Sequence, residues 1–153
     1  MDIQEKISND FKEAMKAGNS AKVDTLRMVF AAFKNKEIEK RGKGQEGVLS
    51  DDEVVDVLMK EAKKRKEALD IYTQNNRPEL AEKEKKELEI ISQYLPEQLS
   101  EDEIGKIVEA AISKTEASTV KDMGKVMGEV MKEAKGKADS KLISDIIKKK
   151  LGV

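Results

Sequence analysis

Neither cysteine nor histidine occurs among the 153 residues of this chain. The first absence rules out disulfides, thiolate metal sites and a cysteine nucleophile. The second removes the commonest general base and the commonest side-chain ligand for transition metals. Tryptophan is missing too, and three Phe and two Tyr make up the aromatic content. That is too little for a wide aromatic core, though enough to help fill seams between amphipathic helices. Only two Pro and nine Gly punctuate the chain, so long regular elements are allowed. No stretch approaches the roughly 20 apolar residues that span a bilayer. Asp2, Glu5 and Lys6 interrupt the N-terminus before a signal-like apolar run can form. These features predict a cytoplasmic protein with no membrane partner.

Charged residues make up 40% of the chain and hydrophobic ones 38%, with a formal net charge of −1. No global field therefore draws the protein to nucleic acid or membrane. The average hides an asymmetry. Residues 1–99 carry 19 basic and 21 acidic side chains, residues 100–116 carry 2 and 5, and residues 117–153 carry 9 and 5. The C-terminal excess is entirely Lys, because no Arg follows Arg77.

Leu, Ile, Val and Met recur at helical spacing, and no apolar/polar alternation marks a strand, so the chain reads as all-α. A first helix is predicted from Asp2 to Lys16, with Ile3, Ile7, Phe11 and Met15 at steps of four. A second, carrying Val23, Leu26, Val29, Phe30 and Phe33, runs to Arg41. Gly42, Gly44 and Gly47 then mark a loose polar loop. Ser50 and Glu53 form a capping box for a third helix with Val54, Val55, Leu58, Ala62, Leu69 and Tyr72. Asn75-Asn76 ends that helix, and Pro78 opens a fourth with Leu80, Leu88, Ile91 and Leu95. Pro96 interrupts, and Ser100 with Glu103 repeats the box. The reading is therefore an N-terminal helical bundle at residues 1–95 and a small three-helix domain at residues 100–153. The fifth helix carries Ile104, Ile107, Val108, Ala111 and Ile112. Met123, Val126, Met127, Val130, Met131 and Ala134 follow the 3.6-residue period in the sixth, with Gly136 as its C-cap. Asp139 caps the seventh, which holds Leu142, Ile143, Ile146, Ile147 and Leu151. Three helices form about the smallest unit that folds alone.

Residues able to carry chemistry are scarce. The acidic clusters Asp51-Asp52-Glu53 and Glu101-Asp102-Glu103 fall in first turns, where the helix dipole favours negative charge, and capping explains them. Phosphate-loop and nucleophile-elbow patterns are absent. No catalytic residue, metal ligand or cofactor is predicted. Lys60, Lys63, Lys64, Arg65 and Lys66 form a basic run, mostly a solvated face. Arg65, however, lies on the apolar stripe of its helix and is expected to snorkel across the seam, with ligand binding as the alternative. Gly124 and Gly128, four residues apart, either let a neighbouring helix pack closely or leave backbone open to an approaching partner.

The join of the sixth and seventh helices is the most informative spot. Lys132, Lys135, Lys137 and Lys141 surround a turn in which Gly136 ends one helix and Asp139 starts the next. A helix N-terminus ringed by ammonium groups suits a phosphate. The Asp139 carboxylate would occupy the same place, and Lys near a helix C-terminus already complements the dipole, so binding and ordinary capping both remain open. Lys is a flexible point charge rather than a planar fork, so nucleic acid bound here would be held by its phosphates, with strong salt dependence.

The run Lys121-Asp122-Met123-Gly124-Lys125-Val126-Met127-Gly128, continuing through Lys135-Gly136-Lys137-Ala138-Asp139 to Lys141-Leu142-Ile143, resembles the YqeY family. So do Thr25-Leu26-Arg27-Met28, Lys34-Asn35, residues 37–41, Glu82-Lys83-Glu84 and Tyr94-Leu95-Pro96-Glu97-Gln98-Leu99, and the resemblance covers nearly the whole chain. That family is similar to the C-terminal region of GatB, the tRNA-binding subunit of the tRNA-dependent amidotransferase. The resemblance implies a helical bundle followed by a GatB-tail-like three-helix domain that contacts tRNA. Position by position it points to Lys121, Lys125, Lys132, Lys135, Gly136, Lys137 and Lys141 as the contact set, and on the open-backbone reading of their spacing Gly124 and Gly128 are the close-approach glycines. Asp139 departs from the Asn usual in GatB tails. The resemblance also implies an amidotransferase-like protein, related to carbon–nitrogen ligases with glutamine as amido-N-donor but without activity alone, since their catalytic core has no counterpart here, and a tRNA-processing or amidotransferase-type enzyme as partner. The alternative function is a helical protein–protein interaction adaptor without RNA binding.

Overall fold

The computed structural model describes residues 1–152. Among these it contains seven α-helices, one 3₁₀ turn and no strand, which meets the all-α expectation. The chain divides into two compact units, Met1–Leu95 and Pro96–Val153.

The first unit contains α1 (Ile3–Ala17), α2 (Ser20–Gly42), α3 (Asp51–Gln74) and α4 (Pro78–Ser92). Asp2 caps α1 by accepting the Glu5 N–H while Glu5 reaches back to the Asp2 N–H. Gly18 ends α1 in the left-handed conformation that a side chain would disfavour (φ 68°). Asn19 then caps α2 through the Lys22 N–H. The Ser50–Glu53 box starts α3 as expected. Between α3 and α4 the backbone turns at Asn76, another positive-φ residue (55°).

Ile7, Leu26, Val29, Leu58 and Ile91 form the centre of this unit, joined by Phe33, Leu49, Val54 and Tyr94. Phe11 and Phe30 meet edge to face, 5.4 Å between ring centroids. Two expectations need correction. Met15 lies outside the core, 47% exposed, and Ala14 is buried in its place. Steps of four overshoot the helical period by about 40° each, so seven residues return closer to the Ile7 direction than eight do. The connection before α3 is not a loose loop either. Lys40 Nζ donates to the Val48 carbonyl at 2.6 Å and to Glu53 at 2.7 Å, Leu49 enters the core, and Arg41 lies across Gly47 so closely that a Cβ there would sit 2.3 Å from Nε.

The second unit consists of α5 (Glu101–Thr115), the 3₁₀ turn Val120–Asp122, α6 (Met123–Ala134) and α7 (Ser140–Lys150). Ser100 and Glu103 form the predicted capping box. Ile104, Val108, Val126, Val130, Ala134, Ile143 and Ile147 are fully buried. Each Ile or Val so placed contributes about 1.5–3 kcal/mol over leaving it exposed. Met123, Met127 and Met131 pack against this core, as their spacing predicts.

Candidate nucleic-acid interface

The exposed side of α6 follows from its sequence. At about 100° per residue, Val126, Val130 and Ala134 define one face, and all three are buried. Gly124, Lys125, Gly128 and Lys132 fall within roughly a 100° arc on the opposite face, and all four are exposed. A Cβ built at Gly124 or Gly128 would meet nothing within 4 Å. The two glycines therefore do not make room for a neighbouring helix of their own unit. They leave a strip of bare backbone between lysines. Gly128 is interior to its helix, where glycine costs about 0.5–1 kcal/mol relative to Ala, and no packing need within its own unit accounts for that cost.

Lys121, also exposed, belongs to the 3₁₀ turn that leads into α6. This turn, with no counterpart in the periodicity, is held by Asp122, which accepts the Ser118 and Thr119 N–H groups at 3.0 and 3.1 Å. Those two backbone donors hold the Asp122 carboxyl below its ordinary range.

Glu129 is the chief carboxylate beside the strip. Lys132 reaches it at 2.9 Å from the next turn of α6, and Lys114 of α5 reaches its other oxygen. Hydrogen bonds from these two ammonium groups, Lys114 first, hold the Glu129 carboxyl below the usual carboxylate range. Lys114 was not among the residues the sequence singled out. It lies 15 positions from Glu129, beyond any local pattern.

At the α6–α7 corner the helix ends one residue earlier than expected. Lys135 is the C-cap and Gly136 is the left-handed residue after it (φ 76°). The chain uses this corner itself: Gln98 Nε2 donates to the Gly136 carbonyl at 3.0 Å and the Leu99 N–H to the Lys137 carbonyl at 2.8 Å. Asp139 caps α7, accepting the Leu142 N–H at 3.3 Å. Ordinary capping is thus what the corner displays. Lys135, Lys137 and Lys141 are exposed around it, so an anion here would meet ammonium groups, with the Leu142 amide already taken.

Arg65 stands apart from this surface. It is 6% exposed, and its guanidinium turns inward, which overturns the snorkelling expectation. Nη1 donates to the Glu61 carboxylate at 2.7 Å and to the Glu61 carbonyl at 2.9 Å. Nε lies 3.3 Å from Glu87 of α4, close enough to pair but misaligned for a hydrogen bond. Neighbouring carboxylates give the charge a nearer destination than solvent. Among the described residues no cluster of acidic side chains could hold a metal ion, and no helix is long and apolar enough to cross a membrane.

The family model for Yqey-like protein matches residues 4–151. The chain belongs to the Yqey-like family. Curated relatives of this Yqey-like chain include the mitochondrial protein named Altered inheritance of mitochondria protein 41 in Lachancea thermotolerans. That relative is 34% identical over 95 residues, which is 62% of this chain and 49% of the relative. The Candida glabrata protein of the same name is 31% identical over 91 residues, 60% of this chain and 48% of its own, and the Eremothecium gossypii one is 34% identical over 89 residues, 58% and 46%. The Yqey-like chain thus spans about half the length of these relatives. Their names overturn the cytoplasmic expectation, since all three are named as mitochondrial proteins. The expectation rested on N-terminal hydropathy, which carries no information about a mitochondrial destination.

Proposed function

We propose that this Yqey-like protein is a tRNA-binding accessory module that contacts the phosphate backbone through its C-terminal unit. The observation that carries the reading is the α6 surface, where two glycines with open space above them lie among lysines on the face turned away from the core. Bare helix backbone lets a phosphodiester chain come close, and the ammonium groups supply the charge. Recognition then follows RNA shape, since Lys lacks the planar fork that reads base edges. Lys121, Lys125 and Lys132 form the centre of the contact, with Lys135, Gly136, Lys137 and Lys141 at the corner beyond. The resemblance to the GatB tail supports the choice of tRNA and directs the search for a partner toward tRNA-processing or amidotransferase-type enzymes. The relatives' names make mitochondrial tRNA the first substrate pool to compare with bulk tRNA.

The test is binding of bulk and mitochondrial tRNA to the intact protein at low and moderate salt, with Lys135→Glu/Lys137→Glu as the comparison. The reading expects affinity that falls steeply with salt and a marked loss in the double variant without unfolding of the domain. No binding even at low salt overturns it and leaves a protein-docking adaptor as the function to pursue.

A further inference from the structure

We infer that Lys114 of α5 is part of the same phosphate-contacting face, and that Glu129 competes with phosphate for the Lys114 and Lys132 ammonium groups. The inference rests on the RNA reading above and extends its surface from one helix to two.

Three features of the geometry point to it. First, Lys114 and Lys132 arrive at opposite oxygens of one carboxylate from different helices, so two cations 18 positions apart in the chain converge at a single point beside the α6 strip. Second, both lysine side chains remain open to water, 66% and 68% exposed, while Glu129 is only 20% exposed. Water and an incoming anion therefore reach the ammonium groups more readily than the carboxylate beneath them. Each ammonium has three donors, and Glu129 engages one of them on each lysine. Third, two ammonium groups on one carboxylate leave a local charge of +1, so the cluster attracts a polyanion in spite of the glutamate. Exposed ion pairs contribute little and yield easily, so a phosphate can take over either lysine without disturbing the fold. The carboxylate holds the lysines at the edge of the strip and limits how strongly they bind.

The experiment measures bulk tRNA binding to the intact protein at 50 and 200 mM salt, conditions between which each phosphate contact is worth roughly threefold in affinity. Lys114→Gln is compared with Lys125→Gln inside the face and with Lys86→Gln on α4, which makes the same change in net charge far from it in sequence. The expected result is that Lys114→Gln, like Lys125→Gln, weakens binding and shrinks the ratio between the two salts by about threefold, while Lys86→Gln does neither. Glu129→Gln is expected to tighten binding several-fold and steepen the salt dependence. A Lys114→Gln variant that matches Lys86→Gln while Lys125→Gln weakens binding overturns the inference and leaves the RNA reading standing. If Lys125→Gln also matches Lys86→Gln, the RNA reading fails with it. Glu129→Gln binding no tighter than the parent removes the competition. Equal helical content and melting temperature across the set ensure that the comparison reports the surface.

Discussion

The phenol of Tyr94 donates a hydrogen bond of 2.5 Å to Asp10 Oδ2, so the chain just after α4 is fastened to α1. Tyr94 is buried, Lys22 stands 3.9 Å from the same carboxylate, and Lys6 lies over the Tyr94 ring, 5.7 Å from its centroid. Burial, and then the Asp10 carboxylate, push the phenol pKa up. A raised pKa means that the folded state holds the proton more tightly. Its stabilisation is therefore complete below the unfolded value of about 10 and is lost as pH rises beyond it. Tyr94→Phe should cost about 1 kcal/mol at neutral pH and blunt the alkaline transition, as denaturant melts at pH 7 and pH 11 would reveal. Equal alkaline sensitivity in both proteins would dissociate Tyr94 from that transition.

Arg65 serves as the cation for the α3–α4 seam, and truncation would leave Glu61 and Glu87 facing each other without it. Removing one member of a buried pair costs about 3–5 kcal/mol. With side-chain exposures of 13% each, the two carboxylates keep some water, and the lower end applies to Arg65→Ala. Arg65→Lys should recover only part of the loss, because an ammonium cannot span both carboxylates as the planar fork does. Chemical denaturation of the three proteins checks the order.

Glu84 on α4 faces the same charge cluster with the opposite consequence. Burial, then the Glu87 carboxylate, raise its pKa against the smaller pull of Arg65. Its charged form is therefore unfavourable in the folded protein. That cost is present above the folded pKa and disappears as pH falls below the unfolded one. Glu84→Gln should stabilise the protein at pH 7, with the advantage over the parent lost in acid, below the unfolded carboxylate value. Glu61 runs the other way: burial raises its pKa, but hydrogen bonds from Arg65 and Lys64 outweigh it. Its stabilisation is present at neutral pH and is lost as pH falls. Stability curves against pH for Glu84→Gln and Glu61→Gln should diverge in sign at pH 7.

Lys40, followed by the Ser50 N–H, depresses the Glu53 carboxyl to about 2. The capping box and the Lys40 bridge thus share one charged oxygen. The contribution is complete above the unfolded carboxylate value and is lost as pH falls toward the folded one. Side-chain carboxyl resonances followed by NMR should show Glu53 still ionised at pH 3, where ordinary glutamates have protonated. Lys40→Met should return its midpoint toward the usual range.

Gly124→Ala and Gly128→Ala separate stability from function. Neither methyl would meet another atom within 4 Å, so Gly128→Ala, in the helix interior, should stabilise α6 by about 0.5–1 kcal/mol and Gly124→Ala, in the first turn, by less. If a phosphate backbone lies against the strip, the same variants should bind tRNA more weakly while melting higher. Higher melting with unchanged binding would leave the glycines without a role in RNA contact.

Much of this protein is local, and what is local is legible in the chain. The absence of strands, the order of the helices, the Ser50–Glu53 and Ser100–Glu103 boxes and the Asp139 cap all depend on residues three or four positions apart, which helical geometry brings together wherever the helix goes. The alternation of Val126, Val130 and Ala134 with Gly124, Lys125 and Gly128 also determined which face of α6 would be buried. Other outcomes needed neighbours from elsewhere in the sequence. Arg65 carries no local mark that tells snorkelling from burial; the choice depended on Glu87 arriving from α4. Asp10 and Tyr94 are 84 residues apart, and Lys114 meets Glu129 only because α5 packs beside α6. The glycine pair fits close helix packing and an open surface equally well, and only the tertiary structure decided between them, because spacing along a helix fixes the direction of a face and says nothing of what stands opposite it.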